Sequence, residues 1–406
     1  MDPANILTIT TSKFDDYGKS AWVGEASKHI GNGVLMSEGE AWKQSRIRLR
    51  PIFSKAMLDE TKLVEPHFER LRKQLGHQRG AIVDFQEFST RLILDIVTDF
   101  LFGKSIESLN EDANGQGRHF LSLVRQFEPA SGSFIAVGVF AWVELIPFYR
   151  QLLRVVDGMK TFFYAQLQAV LSDTSRKSNG TSCFRTMMKD NVPVQQVQAE
   201  LQNIFFASFD TTNALLCNVI EVVSKRQDIQ VRLRDEISCL QGVLPTRRDV
   251  QNFTYLRFVI LEGKYTTLRL YTPVTSHSRI ALRDTTFPRG GGPTGTEPIF
   301  VPAGTTVNWS IYSLNRDPDI YGADWADFRP ERWEKPGAGS TNGSFLPFGS
   351  GPRACMGREM ALMEVSYILV RLLQEFPILK GEDTREFKEA KAVSFYNANG
   401  VLMSLK

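Results

Sequence analysis

The chain has little cysteine: four residues in 406, at Cys183, Cys217, Cys239 and Cys355. Spaced this widely they exclude a disulfide framework and paired zinc knuckles, and they point to a reducing compartment. Net charge is also small, +3, and no basic run stands out. A polyanionic partner is therefore not demanded, and no nucleic-acid partner is expected. Long apolar runs are missing as well. The longest, Phe134 to Val143, stops at Glu144, well short of the ~18–20 residues that a membrane span needs. Met1-Asp2-Pro3 opens no signal-peptide pattern. As written, the chain is expected in the cytoplasm or peripherally on a membrane. With 42% hydrophobic and 23% charged residues, the composition excludes disordered, collagen-like and coiled-coil classes.

What is present reads as helix first and strand later. "VDFQEFSTRLILDIVTDFLFG" places Phe85, Phe88, Leu92, Ile96 and Phe100 near a helical period, with Gly103 as the stop. Val194–Lys225 is apolar nearly all round after Ile204, the pattern of a centrally buried helix. After Tyr271 short β-rich runs alternate with turns; "RGGGPTGTE" (Arg289–Glu297) reads as a flexible turn, and Asn399-Gly400 as a hairpin signal. No repeat or linker divides the chain. One domain over 1–406 is expected: helix-rich over roughly 20–270 and 355–380, β-rich over roughly 271–310 and 390–406.

"FLPFGSGPRACMG" surrounds Cys355 with Gly349, Gly351, Gly357 and Arg353, just before the buried helix "MALMEVSYILVRLLQEF". Glycine costs the most backbone entropy on folding, so three in nine residues imply that something approaches this backbone closely. A cysteine at a helix N-terminus is expected to have a lowered pKa and to persist as thiolate. Iron-bound thiolate sulfur favours nearby backbone N–H donors, and Arg353 suits an acidic cofactor group.

Phe348-Gly349-x-Gly351-x-Arg353-x-Cys355-x-Gly357 resembles the haem-binding signature of the cytochrome P-450 superfamily. The resemblance extends along the chain. "GEAWKQSRIRLRPIF" is similar to the family's W-x-x-x-R helix, "ASFDTT" to its oxygen-binding pattern, "TPVTSHSR" to the strand after the K helix, and "DFRPERWE" to its P-E-R-F/W element. It implies a mainly α fold with a smaller β-rich part. It also implies haem b with Cys355 as thiolate ligand, and Trp42, Arg46, Arg279 and Arg353 at the propionates. Phe348 and Gly357 belong to the same cofactor loop. Asp210 and Thr211 would deliver protons and stabilise oxygen, with Ser208 standing where the pattern has Gly. Phe205, Phe206, Phe209, Val274 and Phe395 would line an apolar substrate pocket.

The activity so implied is a fungal haem-thiolate monooxygenase, most similar to alkane and fatty-acid hydroxylases. It would act on a fatty-acid-like, alkane-like or secondary-metabolite substrate with O2 and NADPH-cytochrome P-450 reductase. A haem-poor, non-functional truncated member and a haem-thiolate isomerase or peroxygenase remain open, although Asp210-Thr211 argues against the latter. Asp2–Ser20 resembles a stretch that in relatives follows a membrane anchor, the first helix and outer strands. Family members are anchored in the endoplasmic reticulum, and this chain is expected to lack that front.

The K helix departs from the family's E-x-x-R. "LEGKYTTLRLYTPV" puts Glu262 seven residues before Arg269, about 10.5 Å along a continuous helix against about 4.5 Å for three. Omitting Gly263-Lys264-Tyr265-Thr266 restores the spacing, so an insertion is the better description. It is expected to deprive Arg269 and Arg332 of the Glu262 carboxylate.

Overall fold

Apolar residues on all sides of its C-terminal half bury the helix Val194–Lys225, and several other helices pack against it. In the computed structural model, residues 2–20, 22–54, 60–110, 115–137, 147–172, 182–262, 268–334, 343–391 and 394–406 are described. The helix Phe85–Phe102 packs along the central one. Asp84 caps it by accepting from the Gln86 N–H, and Gly103 ends it at φ +71°, a left-handed conformation that glycine adopts without a Cβ clash. Leu92, Ile93, Leu94 and Ile96 of this helix are wholly buried, each contributing about 1.5–3 kcal/mol of burial. Arg358–Glu375, the helix after Cys355, packs on the central helix and on Glu60–His77. Among the described residues no helix is long and apolar enough to cross a membrane.

The strands are β1 (Tyr17–Gly18), β2 (Ile82–Asp84), β3 (Ser276–Ala281), β4 (Thr285–Gly291), β5 (Glu297–Val301), β6 (Thr306–Ser310), β7 (Leu379–Gly381), β8 (Glu389–Lys391), β9 (Phe395–Asn397) and β10 (Leu402–Leu405). They form small antiparallel sheets ordered β1-β3-β6, β2-β10-β7, β4-β5 and β8-β9. In β6, Val307 and Trp309 turn inward while Thr306 and Asn308 face out, the two-residue period of a half-buried strand. β3 pairs His277 with Trp309 and Arg279 with Val307.

Two turn readings need correction. Arg289–Glu297 is not wholly turn: Arg289–Gly291 extend β4 and Glu297 opens β5, with Gly292 and Gly295 at φ +69° between them. Asn399-Gly400 does not close a hairpin, because β9 pairs with β8 while β10 pairs with β2 and β7. Gly400 sits at φ +77°, and a Cβ there would collide with the Asp84 carboxylate. That carboxylate accepts the Val401 N–H at 2.8 Å, so glycine serves the docking of β10 on β2.

Candidate active site

The loop around Cys355 is built from short backbone bonds. Gly349 N–H donates to Leu346 C=O at 3.0 Å, Ala354 N–H to Gly351 C=O at 3.0 Å, and Cys355 N–H to Phe348 C=O at 2.9 Å. Gly351, at φ +69°, has the Thr10 carbonyl oxygen where a Cβ would stand, and the Thr10 and Ser350 hydroxyls bond at 2.7 Å. The close approach that requires this glycine is therefore the N-terminal segment of the chain itself. Gly349, at φ +68°, has no atom within 4 Å of such a Cβ; its backbone borders open space.

Cys355 is exposed on one side of the loop. Burial by the rest of the loop raises its thiol pKa, against the Gly357 and Arg358 N–H groups and the charges of Arg46 and Arg358. That direction runs opposite to the lowering expected at a helix N-terminus. A coordinated metal reverses that balance, because it displaces the thiol proton.

Beside the loop, cations outnumber carboxylates. The Glu38 Oε1 accepts the Lys19 backbone N–H at 2.8 Å and Arg353 Nη2 at 3.2 Å, while Arg353 Nη1 donates to Ser37 C=O at 3.2 Å. Lys19 Nζ donates to the Leu35 carbonyl. Arg279, on β3, donates to Ser278 C=O at 2.7 Å, and the Ser20 and Ser278 hydroxyls bond at 2.5 Å. Burial pushes Lys19 down to about 7, helped by Arg353 and Arg279 and opposed by Glu38. Burial likewise brings Arg353 down to about 10 and lowers Arg279. His277, next to Arg279 on the strand, is pushed down to about 4 by burial and then by Arg279, and is neutral at pH 7. Arg279, Arg353 and a Lys19 that titrates near neutrality face one carboxylate, a positive balance that suits the propionates of a haem. Lys19 and Glu38 were missed by sequence reasoning, because neither falls in a motif.

Trp42 and Arg46 belong to the helix Gly39–Leu49. Arg353 lies over the Trp42 ring at 4.2 Å, and Arg46 at 6.0 Å from the same ring donates to Ala354 C=O at 3.0 Å. The Trp42 ring thus lies close to both guanidinium groups beside the Cys355 loop. The central helix fixes the approach to this helix: Asn203 Oδ1 accepts the Leu35 and Met36 N–H groups at 2.9 and 3.1 Å, and Glu200 accepts Val34 N–H at 2.8 Å and the Ser45 hydroxyl.

Asp210 and Thr211 lie further along the central helix. Thr211 Oγ1 donates to Ala207 C=O at 2.7 Å and Ser208 Oγ to Ile204 C=O at 2.7 Å, back-bonds of the kind that bend helices. Asp210 Oδ2 accepts the Ser394 N–H at 2.8 Å. Burial raises the Asp210 pKa, opposed by Ser394. Among the described residues no hydrogen bond joins this pair to the Cys355 loop. Phe205, Phe209 and Phe395, expected to line a pocket, are buried almost completely. Phe205 and Phe209 stack on one another at 5.4 Å, and Phe395 on Tyr271 at 5.6 Å. Phe206 and Val274 keep some exposed surface.

Glu262 contradicts the expected loss of its partners. Arg269 Nε and Nη2 donate to its two oxygens at 3.0 and 2.7 Å, Arg332 Nε donates at 3.1 Å, and Trp333 Nε1 at 2.9 Å. The expectation assumed one continuous helix. Instead the helix Thr254–Leu261 ends with Glu262 extended, at φ −88° and ψ 174°. Leu268 N–H then reaches back to Ile260 C=O at 3.5 Å. That bond spans four residues more than a helical one, so Glu262 and Arg269 meet as E-x-x-R would. Gly263–Thr266 themselves lie outside the described residues.

The comparisons agree with this geometry over most of the chain. The family model described as cytochrome P-450 matches residues 3–401. Cytochrome P-450 monooxygenase himC of Aspergillus japonicus is 32% identical, covering all of this chain and 73% of that protein. Cytochrome P-450 monooxygenase FPY7 of Fusarium mangiferae is 32% identical over all of this chain and 78% of its own length, and cytochrome P-450 52A9 of Candida maltosa 31% over 93% and 75%. The chain belongs to the cytochrome P-450 family and is an oxidoreductase of that family, whose members hold haem iron.

Proposed function

We propose that the chain is a haem-thiolate monooxygenase that holds haem b through Cys355 and oxidises a lipophilic small molecule. The carrying observation is the adjoining of a helix-terminal cysteine, with open space at Gly349, and the surplus of cations at Lys19, Arg279 and Arg353. Arg353 and Arg279 would hold the propionates, with Arg46 and Trp42 fixing the side of the loop they face. When bound, the haem supplies O2 activation, and thiolate donation favours O–O cleavage. One oxygen atom would enter a substrate C–H bond and the other leave as water, using two protons and two electrons from NADPH-cytochrome P-450 reductase. Asp210 would hand protons inward and Thr211 would orient them. Phe206 and Val274 supply apolar surface for a fatty-acid-like, alkane-like or secondary-metabolite substrate; the relatives named as monooxygenases support the reaction type.

The hydrogen-bond donors of Arg269, Arg329, Arg332 and Trp333 closing on Glu262 support haem retention over the haem-poor alternative. The test is reconstitution with reductase, NADPH and oxygen-18 gas over a panel of fatty acids, alkanes and apolar aromatics. One labelled atom per hydroxylated product is expected. Product lacking the label, or formed equally from peroxide without reductase, would contradict the reading.

A further inference from the structure

We infer that Ser394 is a positioning residue for Asp210: its backbone N–H, beside β9, holds the carboxyl and ties the β8-β9 hairpin to proton delivery from the central helix. The inference rests on the monooxygenase reading above. The bond is short, 2.8 Å, and joins groups 184 positions apart. A second link runs from Asn218 Nδ2, further along the same helix, to Phe395 C=O at 3.2 Å. Two consecutive residues of the hairpin are therefore bonded to one helix, at positions two turns apart.

The hairpin is anchored on its other side by rings. Phe395 stacks on Tyr271 at 5.6 Å and on Phe387 at 6.2 Å, and meets Tyr312 at 5.7 Å. Tyr271 follows Arg269 after the Glu262 cluster and precedes Val274, so this packing reaches the segment proposed to lie beside substrate. A substrate that shifts the hairpin would move the backbone donor that Ser394 gives the Asp210 carboxyl. The N–H favours the ionised carboxylate and burial favours the neutral acid. Removing the donor weakens what opposes burial, so Asp210 would then give up its proton only at higher pH. Of the charged groups on the packed elements, Glu389 of β8 is bonded instead to the Tyr312 hydroxyl at 2.9 Å, and Arg316 lies over that ring at 3.4 Å.

The experiment compares Ser394→Ala, which keeps the N–H, with Ser394→Pro, which deletes it. Infrared difference spectra against pH, with Asp210→Asn to identify the Asp210 carboxyl band, report its protonation in the haem-loaded chain. Both variants lose the hydroxyl, so Ser394→Pro is expected to titrate about one pH unit above Ser394→Ala, the difference being the N–H. The pH range in which peroxide replaces product should move with it. An unshifted midpoint in Ser394→Pro, or an equal shift in Ser394→Ala, overturns the inference. Should Ser394→Pro not hold haem, amide exchange decides. The Ser394 N–H should exchange about tenfold faster in Asp210→Ala than in the parent, and equal exchange overturns the inference. Failure of the parent itself to give a haem-thiolate spectrum would instead count against the monooxygenase reading.

Discussion

Thr211 spends its hydroxyl proton on the Ala207 carbonyl, so its lone pairs are what it offers to a neighbouring donor. Substitution by alanine should leave haem binding intact and lower product formed per NADPH, with peroxide making up the difference. General acid–base contributions of this kind are about 10²–10⁴-fold. Equal coupling in Thr211→Ala and parent would remove the residue from the mechanism. Lys19 carries a pH dependence of definite sign. Burial and the charges of Arg353 and Arg279, partly offset by Glu38, hold its pKa at about 7, while His277 is already neutral. Propionates favour the protonated amine, so above pH 7 haem loading takes up a proton, and haem affinity falls as pH rises. Lys19→Met should flatten that dependence in a titration of haem transfer to a second haem-binding protein. A parent whose affinity does not change from pH 6 to 9 would show that Lys19 does not face the propionates.

The helix Thr254–Leu261 and the strand region after Leu268 show what could not be read from spacing. Counting along an ideal helix separated Glu262 from Arg269, yet the Leu268–Ile260 bond brings them together across four extra residues. Sequence distance measures space only while one element continues. Gly103, by contrast, was readable as a helix stop because its left-handed φ is a local demand. The buried cluster makes two predictions. Removing residues 263–266 should leave haem per protein unchanged, since the carboxylate is already engaged; a several-fold gain would contradict the observed pairing. Glu262→Gln should cost about 3–5 kcal/mol, because Arg269 is left buried with its charge uncompensated, and should lower both the melting temperature and haem content. A melting temperature equal to that of the parent would show that the cluster carries no such load.

Across the whole molecule, the site is assembled from segments far apart in sequence. Lys19, Glu38, Arg279 and Arg353 come from four segments, drawn together because β1 pairs with β3 and Asn203 of the central helix bonds the Leu35–Met36 backbone. Cys355, Trp42 and Arg46 could be singled out from local motifs, since a soft anionic ligand among glycines and a Trp–Arg pair on one helix face are local patterns. Lys19, Glu38 and Ser394 could not, because nothing around them in sequence marks their role; only pairing of the sheets and burial do. Haem held by the Cys355 thiolate is the claim from which the other roles follow. The most direct test is the reduced carbon-monoxide difference spectrum of the haem-loaded chain. The parent and variants with alanine at Cys183, Cys217 or Cys239 should give a thiolate-type Soret band, and Cys355→Ala should lose it. A thiolate-type band that survives in Cys355→Ala would contradict the account.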